Sequence, residues 1–155
     1  MLPDDTVVGS FDEWARDAEP KLRHALTASF GHQVGKEATI DALSHAWESW
    51  GRVKGKDNLL GYVYGVGRNK ARRAASRRRV LFLDVTQQRL PHVEPGLPAA
   101  IARLSEKQRI VVTLLYGYDW SMTEVADLLG TAKTTVQNHA ERGLLKLRKN
   151  LGVEL

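Results

Sequence analysis

Between Arg68 and Arg79 the chain sets seven cations, Arg68, Lys70, Arg72, Arg73, Arg77, Arg78 and Arg79, with no acid among them. Like charges one helical turn apart repel, so a helix face that only meets water usually mixes signs. A cluster of one sign is suited to neutralising phosphates and releasing their counterions; the plainer alternative is the basic end of a surface helix. A second group is of a different kind. Lys133, Thr134, Thr135, Gln137, Asn138, Glu141 and Arg142 put short hydroxyls, two amides and two cations within three helical turns. Glutamine and asparagine match the paired donor and acceptor of an adenine edge, while lysine and arginine serve phosphates. The plainer alternative here is the wet face of a C-terminal helix.

Other chemistry is poorly provided for. The chain has no cysteine, which removes disulfides, thiol nucleophiles and Cys-based zinc sites. Its five histidines are scattered. Asp41 and His45 lie four apart, yet no third ligand has suitable spacing. There is no phosphate-binding glycine loop and no setting for a nucleophile with its base. The expectation is therefore a protein that is not an enzyme and uses no cofactor or metal. A formal net charge of +5 agrees with an anionic partner. The opening MLPDDTVVGS lacks a basic and apolar leader, and no apolar run is long enough for a bilayer. A cytoplasmic protein is expected.

These residues need elements to hold them, and the pattern is helical throughout. Ser10 and Glu13 have capping-box spacing ahead of Phe11, Trp14 and Ala18. Pro20 reads as the first turn of a renewed helix carrying Leu22, Leu26 and Phe30. Gly31 and Gly35 flank a polar break, after which Thr39, Leu43, Ala46, Trp47 and Trp50 recur at helical spacing. Gly51 to Asn58 reads as a loop. A helix from Leu59 then carries Leu60, Val63, Tyr64 and Ala71, with Gly61, Gly65 and Gly67 marking close helix packing rather than a ligand.

From Leu104 to Leu151 the punctuation is denser. Ser105 with Gln108, and Ser121 with Glu124, can each close a capping box. Gly117 and Gly130 stand where a helix would end left-handed, and Thr131 is a candidate N-cap for the last helix. That helix buries Val136, Ala140, Leu144, Leu147 and Leu151. Two helices around a three-residue turn have the form of a helix-turn-helix, whose second helix enters the major groove. The expected fold is all-α, with two small helical domains, 1–79 and 98–155, joined by a flexible linker over 80–97. That linker holds Pro91, Pro95 and Gly96 and no sustained period. Eighteen residues reach about 60 Å at most, under two turns of B-DNA, so both domains could hold patches of one duplex.

The two halves in this order resemble an extracytoplasmic-function sigma factor of bacterial RNA polymerase. IDALSHAWESW looks like that family's polymerase-binding helix, and NLLGYVYGVGRNKARRAASRRR like its promoter-melting segment. Ala100 to Arg148 is similar to the fourth conserved region nearly throughout, most specifically at Leu104 to Arg109, Glu124 to Ala126 and Thr135-Val136. Val34, Gly35 and Ile40 stand where the family usually carries acids and a glutamine, and Tyr62 where it carries tryptophan.

The resemblance implies that Glu37, Asp41, Leu43, Ser44 and Trp47 bind core polymerase, through its beta-prime and beta subunits. It implies that Lys54, Asn58, Arg68, Asn69, Arg72, Arg73 and Arg77 melt and read the minus-10 promoter element, a flipped base being captured beside the Gly51 to Asn58 loop. The helix-turn-helix set named above would read the minus-35 element. Partners implied are core RNA polymerase and promoter DNA, with an anti-sigma factor as a further candidate; the free chain is expected to be a monomer. The alternatives are a dimeric helix-turn-helix regulator and a sigma-like decoy that binds polymerase or a regulator without initiating.

Overall fold

The computed structural model describes residues 5–77 and 96–152, with side-chain surroundings given from Ser10 onward. Every regular element among them is helical. In chain order these are α1 (Asp5–Phe30), α2 (His32–Glu48), α3 (Trp50–Val53), α4 (Leu59–Arg77), α5 (Leu97–Ala102), α6 (Glu106–Val112), a π turn (Thr113–Gly117), α7 (Met122–Leu129) and α8 (Lys133–Leu151).

Helix α1 is longer than its sequence signals suggested. Ser10 lies inside it rather than at its start, and Pro20 is accommodated in its interior. Proline at such a position forgoes a backbone hydrogen bond. Ala18 on one side of it and Leu22, Ala25 and Leu26 on the other are all buried, so packing holds the helix through the defect. Gly31, at φ 88°, makes the corner into α2, as only glycine does readily. Gly35 does not bound a break; it lies within α2, where an added Cβ would come within 2.6 Å of the Thr27 backbone. The expected loop from Gly51 begins as the short helix α3, which buries Trp50 and Val53.

The C-terminal signals fare better. Ser105 and Ser121 both cap as expected, each accepting from the third residue on while Gln108 or Glu124 reaches back. Gly130 is left-handed at φ 64°. Two details differ. Gly117 closes a π turn with ordinary φ, and the left-handed residue is Asp119 at φ 59°. Thr131 is not the N-cap of α8; Ala132 holds that place with no side-chain hydrogen bond. The intervening chain widens into π geometry and seats Trp120, whose backbone N–H donates to the Leu114 carbonyl at 2.9 Å. A buried tryptophan selects that path over a glycine stop.

The core does not divide at 80–97, most of which lies outside the described residues. One cluster of buried side chains joins Leu22, Leu26, Ala42 and Val63 with Ile110, Leu114, Val125 and Val136. A smaller one, of Ala100, Leu104, Val112 and Leu147, ties α5 and α6 to the end of α8.

Candidate nucleic-acid and polymerase interface

The residues of α8 named from sequence stand on an open face. Lys133, Thr134, Gln137, Asn138, Glu141 and Arg142 are exposed, while Val136 and Ala140 behind them are buried. Gln137 donates to Glu141 at 3.1 Å, which pre-orients its amide along the helix. Thr135 is the exception. It is half-buried and lines a cleft against the N-terminal half. Gly143 was missed as a packing residue, since an added Cβ would lie 2.7 Å from the Val112 side chain. Its small size lets α6 and α8 cross closely, and a glycine amid charged residues gives little sign of that in sequence.

On α4 the named residues fall on two faces. Asn69 and Arg73, with Lys70, point to solvent. Asn58, Arg68 and Arg72 instead face the C-terminal half. The Asn58 carbonyl oxygen accepts from the Gly61 N–H at 3.1 Å, and its amide donates to the Asp127 carbonyl at 2.6 Å. Arg72 forms a two-pronged pair with Glu106, at 2.9 and 3.0 Å. That carboxylate raises the Arg72 pKa further above its ordinary value. Arg68 lines the cleft that also holds Tyr64, Glu106, Thr135 and His139. Lys54 is exposed in the turn before α4. Arg77 ends that helix, but its side chain, like Arg78 and Arg79, lies outside the described residues.

Gly61 permits the approach of α4 to α7: an added Cβ would clash with the Asn58 amide and lie 2.9 Å from the Leu128 carbonyl. Gly67 likewise packs on Leu26 and Ala42, whereas Gly65 has open space beside it. Close packing therefore accounts for two of the three glycines.

Of the residues expected to bind polymerase, Glu37, Asp41 and Ser44 share one side of α2, because positions 37, 41 and 44 recur at helical spacing, while Leu43 packs against the core. Asp41, Ser44 and Trp47 are exposed, and Glu37 and Leu43 are half-buried. Gln33 donates to Glu37 at 2.8 Å. Ile40 sits in the middle of this face and is 57% exposed, an apolar group among polar ones. Trp47 is anchored from behind by Phe11, at 5.2 Å between ring centroids, and Phe11 also meets Trp14 and Trp50. The four rings fix one edge of the face. His45 is held by the Tyr62 hydroxyl at 3.1 Å, and Lys56 lies over the Tyr62 ring at 4.6 Å. No group of three potential metal ligands occurs among the described residues.

The seam between the halves is polar as well as apolar. Arg109 donates to the carbonyls of Ser29 and Leu104. Ser29 lies in the last turn of α1, where a cation complements the negative helix end. The hydroxyls of Ser29 and Tyr64 lie 3.3 Å apart, and burial pushes the Tyr64 pKa up to about 12. His24 stacks on Tyr118 with ring centroids 4.2 Å apart; burial, then the Arg23 charge, lowers its pKa. No helix among the described residues is long and apolar enough to cross a membrane.

Residues 96–147 match the family described as Sigma-70, region 4. Over 74 residues the chain is 35% identical to RNA polymerase sigma factor SigO of Bacillus subtilis (strain 168), a match spanning 47% of this chain and 42% of that protein. The chain thus covers less than half the length of that relative. Its fold is similar to a chain in the co-crystal structure of the sigma factor RpoE with the anti-sigma factor NepR from Bartonella quintana. The TM-score is 0.61 at 21% identity, over 94% of this chain and 98% of that one.

Proposed function

We propose that this chain, whose residues 96–147 match the family described as Sigma-70, region 4, is an initiation factor of extracytoplasmic-function type. It binds core RNA polymerase and directs it to its own promoters. The observation that carries this reading is the pairing of a region 4 helix-turn-helix with a second helical half. That half bears an exposed aromatic and acidic face on α2 and a basic face on α4.

The roles follow from the surfaces. Helix α8 enters the major groove at the minus-35 element, with Gln137 and Asn138 reading base edges and Lys133 and Arg142 on phosphates. The N-terminal half, residues 1–79, engages the minus-10 element through Lys54, Asn58, Asn69 and the α4 arginines. Trp47, Ile40, Asp41 and Ser44 meet the polymerase, with 80–97 as the connection between the two domains. The protein acts in the cytoplasm, without a catalytic centre of its own. An anti-sigma protein is a further partner for the same surfaces.

A dimeric operator-binding regulator would use α8 but leave the α2 face and the α4 cations idle. Copurification separates the two. The expected result is a monomer by sedimentation that travels with core polymerase, and that loses core when Trp47→Ala and Asp41→Ala are combined. A dimer that ignores core polymerase would reverse the assignment.

A further inference from the structure

Where α4, α6 and the start of α8 meet, they enclose a cleft of about 90 Å³. Charges brought into a packed seam are normally paired. Here Arg68 comes from α4, Lys107 from α6 and His139 from α8, and all three line the same small space. Among the described residues that line it, the single acid is Glu106, and both its oxygens are taken by Arg72, at 2.9 and 3.0 Å. No carboxylate is left for Arg68 or Lys107. The Arg68 Nε is buried and has no hydrogen-bond partner among the described residues; its guanidinium lies over the Tyr64 ring, 6.0 Å from the centroid. A buried cationic donor left unsatisfied is unfavourable. His139 feels the same imbalance: burial, then the charges of Lys107 and Arg142, lower its pKa. Thr131 and Thr135, on either side of the α8 N-cap, add neutral hydroxyl donors to the wall.

We propose that this cleft is a binding site for a small tetrahedral oxyanion, orthophosphate or the phosphate of a small monoester, held by Arg68, Lys107, His139 and the two threonine hydroxyls. The volume equals that of about three waters at roughly 30 Å³ each, enough for one such ion and too little for a duplex. The donors also fit the ligand's shape. A guanidinium offers parallel N–H groups to two oxygens of one phosphate, an ammonium supplies a point charge, and hydroxyls turn to meet what remains. Chloride presents a single acceptor and a carboxylate two oxygens, whereas donors spread over three walls suit an ion with four. The site is independent of the initiation-factor reading, because neither a promoter strand nor polymerase enters into it. Its walls come from three helices, so a bound ion stabilises their contact by mass action. It also favours protonated His139. Lys107 and Glu106 of α6, Arg68 and Tyr64 of α4 and Arg142 of α8 surround that ring, and the one acid among them is already paired with Arg72. An anion offsets the uncompensated cations, so binding tightens as pH falls through the histidine range.

The test uses the full chain with orthophosphate, sulfate and chloride at equal ionic strength. The NMR signals of the histidine rings follow the site, and thermal unfolding follows its energetics. Phosphate and sulfate are expected to shift the His139 ring saturably and to raise the unfolding midpoint, while His32 and His45 on α2 stay still and chloride does neither. Sulfate keeps one charge state across the range, so its affinity reports the protein alone; it should tighten about two- to fivefold from about pH 8 to about pH 6. Lys107→Gln and Thr131→Val, both outside the assigned promoter and polymerase contacts, should each weaken phosphate binding about three- to tenfold with unchanged helical circular dichroism. Competition by ribose 5-phosphate supports a monoester as the source, and a response to orthophosphate alone supports the free ion. Effects that follow ionic strength, or that persist unweakened in both variants, would overturn the proposal. So would a His139 signal that responds to duplex DNA and not to orthophosphate, since the cleft would then serve a strand.

Discussion

Arg72 and Arg73 are neighbours in sequence with different surroundings. Arg73 is exposed and ready for a phosphate, whereas Arg72 is paired to Glu106 across the seam. That difference was not visible in a run of like charges, because the partner lies thirty-four residues away. The α8 face was legible. Val136 and Ala140 mark the buried stripe, and Lys133, Gln137 and Asn138 fall off it in water. These residues support one contrast. Gln137→Ala should change the preference for one base of the minus-35 element by about 1–3 kcal/mol, leaving other sequences nearly unaffected. Arg72→Ala with Arg73→Ala should weaken binding on all sequences and flatten its salt dependence by up to about two phosphate contacts. Anisotropy titrations across salt and across single-base variants distinguish the two patterns. An equal loss on every sequence for Gln137→Ala would make it a backbone contact.

At the level of elements, local chemistry succeeded wherever the turn itself fixed the structure. Both capping boxes and the left-handed Gly130 needed only nearby residues, and they formed as written. Failures came where packing overrode local preference. Pro20 did not split α1, because buried residues on either side hold the helix together; Trp120 drew the chain through a π turn past Gly117. Glycines divide in the same way, since sequence shows the missing side chain but not what fills the space. Gly35→Ala should therefore be strongly destabilising, by about 1–3 kcal/mol, because the added methyl meets rigid Thr27 backbone. Gly65→Ala, with open space, should instead stabilise α4 by roughly 0.5–1 kcal/mol through helix propensity. Urea midpoints at constant m-value check both. A neutral Gly35→Ala would contradict the close approach of α2 to the Thr27 backbone of α1.

For the whole molecule, the all-helical class and the helix-turn-helix followed from periodicity and caps. The association of the halves did not. Amphipathic stripes report that a face is buried, not which helix buries it, so Ile110 and Leu114 could not be assigned to a seam shared with α1 from their spacing alone. Gly61 and Arg109 were similarly silent until the contacts at Leu128 and Ser29 were seen. On α2 the helical period accounts for the exposure of Asp41 and Ser44 on one side, but not for that of the apolar Ile40 between them.

The central claim is that this chain brings core polymerase to promoters through two DNA-reading surfaces. Promoter-specific run-off transcription with purified core polymerase, on sites located by genome-wide binding of the chain, measures it directly. The account predicts defined-length transcripts that require the chain and fall sharply when Trp47→Ala is combined with Asp41→Ala. Output no higher than core polymerase alone, on every such site, would contradict it.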